Sequence, residues 1–373
     1  MDGEHAGAGL PPELAIARVG WRACAQRQQD PGWRFSRGAI PGIHGWLVTV
    51  TLRGGAQGWG HVLATPIAAP DIPRTEAALA QAAPRIEGLH ALAQAAAHGR
   101  LADIGAALPC VLSGLTSAMA EAAARALGLP LHALLGGAVR QRIPTARLVP
   151  IKPPGPMAQE ARGLVAAGWR ILKLKLDGRP DDDLARVRAV RAAVGPAVAL
   201  LVDANQAYNA DTAIDLCSAL AAEGVSRMEQ PVPAADRDGL RRVTRARRLP
   251  VEADESIGGS LAALQELVAM GAADSYNLKI PYFGGLRNTL AAARICEAAG
   301  VQCRLGALFA PRIGSAQAAH LAAVLPAVVD GAEIAESEHL LDDPSAGFDA
   351  RDGAVPVLPG PGCGVAPRPA PDG

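Results

Sequence analysis

Of the 36 cationic residues in the chain only four are lysine, Lys152, Lys173, Lys175 and Lys279; the rest are arginine. Arginine serves as well as lysine at solvated positions, but a guanidinium cannot deprotonate and so cannot replace an amine used as a base. The surviving lysines are therefore candidates for chemistry. Lys173 and Lys175 flank Leu174 in the apolar run Ile171 to Leu176, and a spacing of two puts both ammonium groups on one face of a strand. Two lysines side by side near a metal disfavour each other's protonated form, bringing one toward the neutral amine that a general base needs near pH 7. Lys175 is the expected base and Lys173 its partner. Lys279, at the end of the run Ser275 to Lys279, offers a second amine.

Three carboxylates end three other apolar runs: Asp203 after Ala199 to Val202, Glu229 after Val225 to Met228, and Asp254 after Pro250 to Ala253. Held together without a cation they would repel and raise one another's pKa. Three hard oxygen donors with open positions instead suit Mg2+, or Mn2+ in its place, which keeps water or substrate oxygens as remaining ligands. Asn205 and Glu255 stand close beside these acids in sequence and are expected to support them. Such a site has a clear use. Removing a proton next to a carboxylate creates a dianionic enolate, which forms only when a fixed cation meets the developing charge. The expected partner is a small-molecule carboxylate.

Stepping along the chain, Lys175, Asp203, Glu229, Asp254 and Lys279 follow one another at intervals of 28, 26, 25 and 25 residues. One strand, one helix and two short loops need about that length, since a crossover alone takes at least about 10 to 12 residues. Beyond Pro144 short apolar strands alternate with amphipathic runs, with strands ending near Lys152, at these five positions, near Gly306 and near Glu333. The predicted class is α/β, with eight parallel strands closing a barrel whose C-terminal face carries the site. Residues 1–143 read as an α+β unit: Leu47 to Leu52 as a strand, Ala118 to Leu127 and Leu131 to Leu135 as helices closed by Gly136 and Gly137. Residues 144–339 form the barrel, and 340–373 a Gly- and Pro-rich tail that packs back on the N-terminal unit.

Composition excludes several classes. With 36 acidic residues the net charge is zero, and a pI near 7.1 leaves no electrostatic footprint for nucleic acid or an anionic membrane surface. The uncharged stretch Ile104 to Ala120 is too short and too polar to span a bilayer, and the first 20 residues lack the form of a secretory signal, so the cytoplasm is the expected compartment. Six cysteines without a CxxC pair argue for buried free thiols, and eight dispersed histidines argue against a histidine metal site.

Together these residues resemble the enolase superfamily, within it the muconate lactonizing enzyme subgroup. The motifs are Lys173-Leu-Lys175, Val202-Asp-Ala-Asn205, Met228-Glu-Gln-Pro231, Ala253-Asp-Glu-Ser256, Asn277-Leu-Lys-Ile280 with Gly284-Gly285, Ala126 to Gly137, and Asp352-Gly353 with Pro359-Gly-Pro-Gly362. The resemblance implies a (β/α)7β barrel, an N-terminal capping domain completed by the tail, Mg2+ at Asp203, Glu229 and Asp254, and acid/base roles for Lys175 and Lys279. It also implies a homo-oligomer. Mandelate-racemase-like relatives use a seventh-strand histidine, which Val301 to Leu308 lacks. His61, where many relatives carry glutamate, bears on substrate choice or packing.

Within the subgroup this apparatus serves racemisation or epimerisation of amino-acid derivatives, cycloisomerisation of muconates, and elimination of water. Bases on both faces favour a racemase or epimerase of a small amino-acid derivative, with a cycloisomerase or dehydratase as the alternative. A catalytically idle binding protein would have no reason to keep these acids and lysines in a lysine-poor chain. Trp33 and Phe35, in the segment Gln29 to Gly42, either receive an apolar or cationic substrate group or anchor their own loop. Lys152 is expected to face the cavity and meet a distal substrate group, the alternative being a solvated rim position; Phe309 and Arg312 are weaker candidates. Relatives acting on dipeptides show an Asp-x-Asp in the eighth-strand region that binds the peptide amine. Asp330 to Glu338 offers only Glu333, Glu336 and Glu338 there, which disfavours a dipeptide.

Overall fold

The computed structural model describes residues 11–325 and 331–368. The N-terminal cap begins with β1 (Ile16–Arg27), a small hairpin of β2 (Arg34–Phe35) and β3 (Gly38–Ala39), then β4 (Gly42–Leu52) and β5 (Gln57–Leu63). Strands β1, β4 and β5 form an antiparallel sheet in that order. Helices α1 (Ile72–Ile86), α2 (Gln94–Arg100), α3 (Ala102–Ala107), α4 (Pro109–Ala126) and α5 (Leu131–Leu134) cover it. The uncharged stretch noted above thus becomes a buried cap helix, and no described helix is long and apolar enough to cross a membrane. Gly58 and Gly60 let α4 lie directly on β5: a Cβ at Gly58 would overlap the backbone of Ala118 and Ala122, and one at Gly60 that of Gly114.

The chain then enters the barrel through β6 (Arg142–Pro144) and β7 (Arg147–Val149). It alternates α6 (Pro154–Ala166), β8 (Ile171–Lys175), α7 (Pro180–Val194), β9 (Ala199–Asp203), α8 (Ala210–Ala222), β10 (Val225–Glu229), α9 (Arg237–Arg245) and β11 (Val251–Ala253). The last turns are α10 (Leu261–Met270), β12 (Ser275–Lys279), α11 (Leu286–Ala298), β13 (Gln302–Gly306) and α12 (Arg312–Ala323). Strands β7 to β13 form one parallel sheet in sequence order. The expected eighth strand shrinks to Ala332 and Glu333, which close the barrel. Ala332 accepts from Ala146 N–H and donates to Pro144; Glu333 donates to Leu305 and accepts from Ala307 N–H.

Strand alternation sorts the side chains. Leu172, Leu174, Leu200, Val202, Met228, Val251, Tyr276, Leu278 and Leu305 join the apolar layer against the helices. Lys173, Lys175, Asp203, Glu229, Glu252 and Arg304, at the intervening positions, are buried in the barrel interior. The tail holds the two parts together. Strand β14 (Ala354–Pro356) pairs antiparallel with β6, Leu341 N–H donates to Arg27, and both Glu121 carboxylate oxygens accept from Cys363 N–H. All six cysteines are buried and free.

Because the contact of α4 with β5 leaves no room for a side chain, Gly58→Ala is expected to cost about 2–3 kcal/mol by overpacking and to lower the melting temperature by roughly 4 °C or more. A thermal melt followed by circular dichroism checks this; an unchanged midpoint would show that the cap relaxes freely.

Candidate active site

The parallel register sets the site. Lys175 pairs with Asp203, and Asp203 with Glu229, so three strand ends stand side by side. Glu229 pairs with Glu252, which places Asp254 two residues further on, just past the end of β11 and nearer the rim. Lys173 Nζ lies 3.0 Å from Asp203, 2.7 Å from Glu229 and 2.5 Å from Glu333, all buried. Lys175 Nζ is 2.6 Å from Asp203 Oδ2 and 3.3 Å from Asn205 Oδ1, while Asn205 Nδ2 donates to Glu255. Lys279 Nζ is 2.6 Å from Glu333 Oε2 and 3.6 Å from Asp254. Glu333 therefore bridges Lys173 and Lys279.

A second tier lies deeper. Arg304 Nε pairs with Glu252 Oε1 at 2.9 Å, Ser275 Oγ donates to Glu252 Oε2, and Asn277 Nδ2 donates to Glu229. Gln230 stitches the rim. It holds φ at 33°, accepts at Oε1 from the backbone N–H groups of Asp254 and Ser256, and donates to Ser256 Oγ and the Val232 carbonyl. Asp254 is thereby held from the neighbouring strand's loop.

Charge explains the titration of these groups. Burial opposes ionisation of Lys173, but Asp203, Glu229 and Glu333 outweigh it and hold the ammonium well above its ordinary range. Lys279 is raised in the same way, against burial, by Asp254 and Glu333. At Lys173 and Lys279 the carboxylates packed against each Nζ outweigh both burial and the repulsion between lysines. Glu229 is raised well above the usual carboxylate range by burial and by Asp203 and Glu333; Asp254 is raised chiefly by burial, and Glu255 goes to about 7 for the same reason plus Asp254.

The acids thus outnumber the cations that meet them, and burial and neighbouring acids raise the proton affinity of Glu229 and Asp254, a cost that a divalent ion would relieve. The donors are hard oxygens, and Asp254, Lys175 and Lys279 line an open cavity of about 360 Å3 where substrate oxygens can enter. Asp203, Glu229 and Asp254 therefore fit a divalent cation. The tightest carboxylate cluster among the described residues is a different one, Glu229, Glu252 and Glu333, with oxygens within 4.8 Å of one another. In it Glu252 is met by Arg304 and Glu333 by two lysines; in the other trio Asp203 is likewise met by Lys173 and Lys175, and Asp254, 3.6 Å from Lys279, is the acid that faces the open cavity.

The cavity also receives Trp33, Phe35 and Phe309. The β2–β3 hairpin brings the first two over the barrel: Ile151 N–H donates to the Arg34 carbonyl, and Lys175 Nζ lies 5.9 Å from the Phe35 ring centroid. Lys152 and Arg312 are corrections. Strand β7 stops at Val149, and Lys152 turns away from the cavity to Asp30 at 2.8 Å and Glu160 at 2.6 Å. Arg312 pairs with Asp343 and Asp349 of the tail. His61, on β5 of the cap, is half-buried against Ser113, Ile280 and Gly314; desolvation lowers it to about 3, so it belongs to packing behind β12. Glu333, Glu336, Gln230 and Tyr282 are site residues that sequence reasoning did not single out, although Glu333 and Glu336 stood in view as eighth-strand glutamates.

Fold and side chains together define a capped (β/α)7β barrel lined at its mouth by acids and lysines. Residues 156–370 match the family described as Enolase C-terminal domain-like, and the chain belongs to that family, in the mandelate racemase and muconate lactonizing enzyme superfamily. It is 35% identical over 215 residues to a D-Ala-D/L-Ala epimerase of Cytophaga hutchinsonii, and spans 58% of that relative's length and of its own. The structure of a muconate lactonizing enzyme from Pseudomonas fluorescens, complexed with muconolactone, superposes with a TM-score of 0.90 at 29% identity, covering 95% of this chain and 97% of that one. A dipeptide epimerase from Enterococcus faecalis, complexed with Mg and the dipeptide L-Leu-L-Tyr, gives 0.89 at 28% identity, covering 95% and 100%.

Raised carboxyls must lose protons before they can ligate a cation, so Mg2+ affinity is expected to rise with pH, with proton release on binding. Calorimetric titration in buffers of different ionisation enthalpy checks this; affinity independent of pH would contradict the assignment of Glu229 and Asp254 as ligands.

Proposed function

We propose that the protein removes the proton next to the carboxylate of a small amino-acid derivative and returns one to the opposite face, as a racemase or epimerase dependent on Mg2+. One observation carries this reading. Lys175 and Lys279 line the same cavity from β8 and β12, four places apart in the sheet and so on opposite walls of an eight-stranded barrel, with Asp254 beside them.

The roles follow from position. With the carboxylates beside the lysines engaged by a divalent ion and no longer holding the ammonium form, the neutral amine of one lysine would take the α-proton, the C–H electron pair would move into the carboxylate to give the enolate, and the ammonium of the other lysine would donate a proton to the far face. Mg2+ held by Asp203, Glu229 and Asp254 would supply the positive charge that the enolate requires. Lys173 keeps Asp203, Glu229 and Glu333 together at ion-pair distance, and Asn205 holds Lys175 toward the cavity from the side of Glu255. The β2–β3 hairpin and Phe309 cover the substrate and exclude water.

The related structures hold a muconolactone in one case and Mg with a dipeptide in the other. Here Glu333 is occupied by two lysines and Glu338 accepts from Ala350 N–H, which supports a single amino-acid derivative over a dipeptide. The close superposition on a muconate lactonizing enzyme supports a second reading, a cycloisomerase or dehydratase in which only one lysine moves the α-proton.

Lys175→Ala and Lys279→Ala are each expected to reduce net turnover by about a thousandfold. Each variant should still exchange the α-proton of one enantiomer with D2O, the two variants choosing opposite enantiomers. Proton NMR checks both, and full activity in either variant would refute the two-base assignment.

A further inference from the structure

The β2–β3 hairpin has two residues on each side, too few to hold its place by its own pairing, so what it touches decides where it sits. At its base the Arg34 carbonyl accepts from Ile151 N–H at 3.0 Å. Its tip is tied down by one side chain. Ser36, half-buried in the turn between the two strands, places Oγ 3.4 Å from the carbonyl oxygen of Ala204 and 3.4 Å from that of Asn205, one hydroxyl shared between two acceptors just past the end of β9.

The turn it reaches is the one that aims Lys175. Asn205 and Gln206 both hold left-handed backbone, with φ at 43° and 72°, which a residue with a Cβ keeps only where its surroundings enforce it. The Ala204 carbonyl also accepts from Ala207 N–H, but among the described residues Ser36 is the only partner of the Asn205 carbonyl. The Asn205 side chain in turn accepts from Lys175 Nζ and donates to Glu255, each at 3.3 Å. A run of contacts thus leads from the cap hairpin through one left-handed residue to one base, and Phe35, next to Ser36, covers the same ammonium. The opposite wall is built differently. Lys279 is held by Glu333 and Asp254, and among the described residues no hydrogen bond joins these groups to the hairpin.

We propose that Ser36 is a positioning residue for Lys175: by tying the hairpin to the carbonyls of Ala204 and Asn205 it fixes the turn whose amide aims this lysine, so that the cap governs one of the two bases and leaves the other to the barrel. This rests on the two-base reading above and adds to it an inequality between the bases.

The test compares Ser36→Ala and Ser36→Thr with the wild-type full chain by two measurements. The first needs no substrate: labelling of the four lysines with acetic anhydride, read residue by residue by mass spectrometry. Ser36→Ala is expected to raise labelling of Lys175 by at least about threefold and to leave Lys279 unchanged, since a freed turn opens locally. The second is α-proton exchange in D2O, followed by NMR, with the Mg2+-loaded protein and both enantiomers of N-acetylvaline and of proline. Ser36→Ala should slow the exchange that Lys175→Ala abolishes by about tenfold, the worth of one hydrogen bond with its acceptor left bare, and keep the exchange that Lys279→Ala abolishes within about twofold of wild type. Ser36→Thr, which keeps the hydroxyl, should restore both readouts. Equal slowing of both exchanges, or unchanged labelling of Lys175, would overturn the proposal. A rise in Lys175 labelling without any exchange by the wild-type protein would uphold the tie between Ser36 and Lys175 and overturn the proton-abstraction reading.

Discussion

The lysine ammonium buried at the centre of the barrel is the constraint on which the rest of the structure depends. Lys173 is 1% exposed, and an ion so placed is tolerated only where opposite charge surrounds it. Asp203, Glu229 and Glu333 supply that charge, from β9, β10 and the closing segment. Once three carboxylates converge on one ammonium, the register of the neighbouring strands and the closure of the barrel are fixed with them. Glu333 then extends the network to Lys279, so that the two walls of the cavity share one carboxylate.

The same arrangement prepares the site for a divalent ion. Acid is in excess at the rim, where Asp254 and Glu255 stand with raised proton affinity, and it is balanced below, where Arg304 meets Glu252. Charge is therefore left uncompensated at the end of the barrel that opens to substrate. The cap completes the geometry from above. Its core is built on the close contact of α4 with β5, and its β2–β3 hairpin extends over the strand ends to set Phe35 against Lys175. Rigid strands hold the charges, and a small hairpin supplies the apolar cover.

Much of this was legible in the sequence because parallel strands joined by helices repeat at nearly constant spacing. That regularity placed Lys175, Asp203, Glu229, Asp254 and Lys279 at one end of the barrel, and the structure brings all five there. The closing strand carried a weaker signal: its end is legible near Glu333, but two residues are too few to show alternation, so the side chain's place between Lys173 and Lys279 is not. Lys152 was overread. Rarity of lysine marks a residue as unusual but says nothing of its direction, and the turn after Val149 sends this one to Asp30 and Glu160. The carboxylates that hold Lys173 and Lys279 up come from strands distant in sequence, which no local spacing shows. The role of Gln230 rests on a left-handed backbone conformation that no local composition announces.

The central claim is that two lysines on opposite walls serve one α-carbon, and the fate of the proton in D2O tests it most directly. A single enantiomer of the substrate, racemised for less than one half-life by the Mg2+-loaded enzyme, should yield product that carries one deuteron at Cα from its first formation. The incoming deuteron then comes from a different base than the one that removed the proton. Product that retains the original proton would contradict the account, because it would place a single base on both faces.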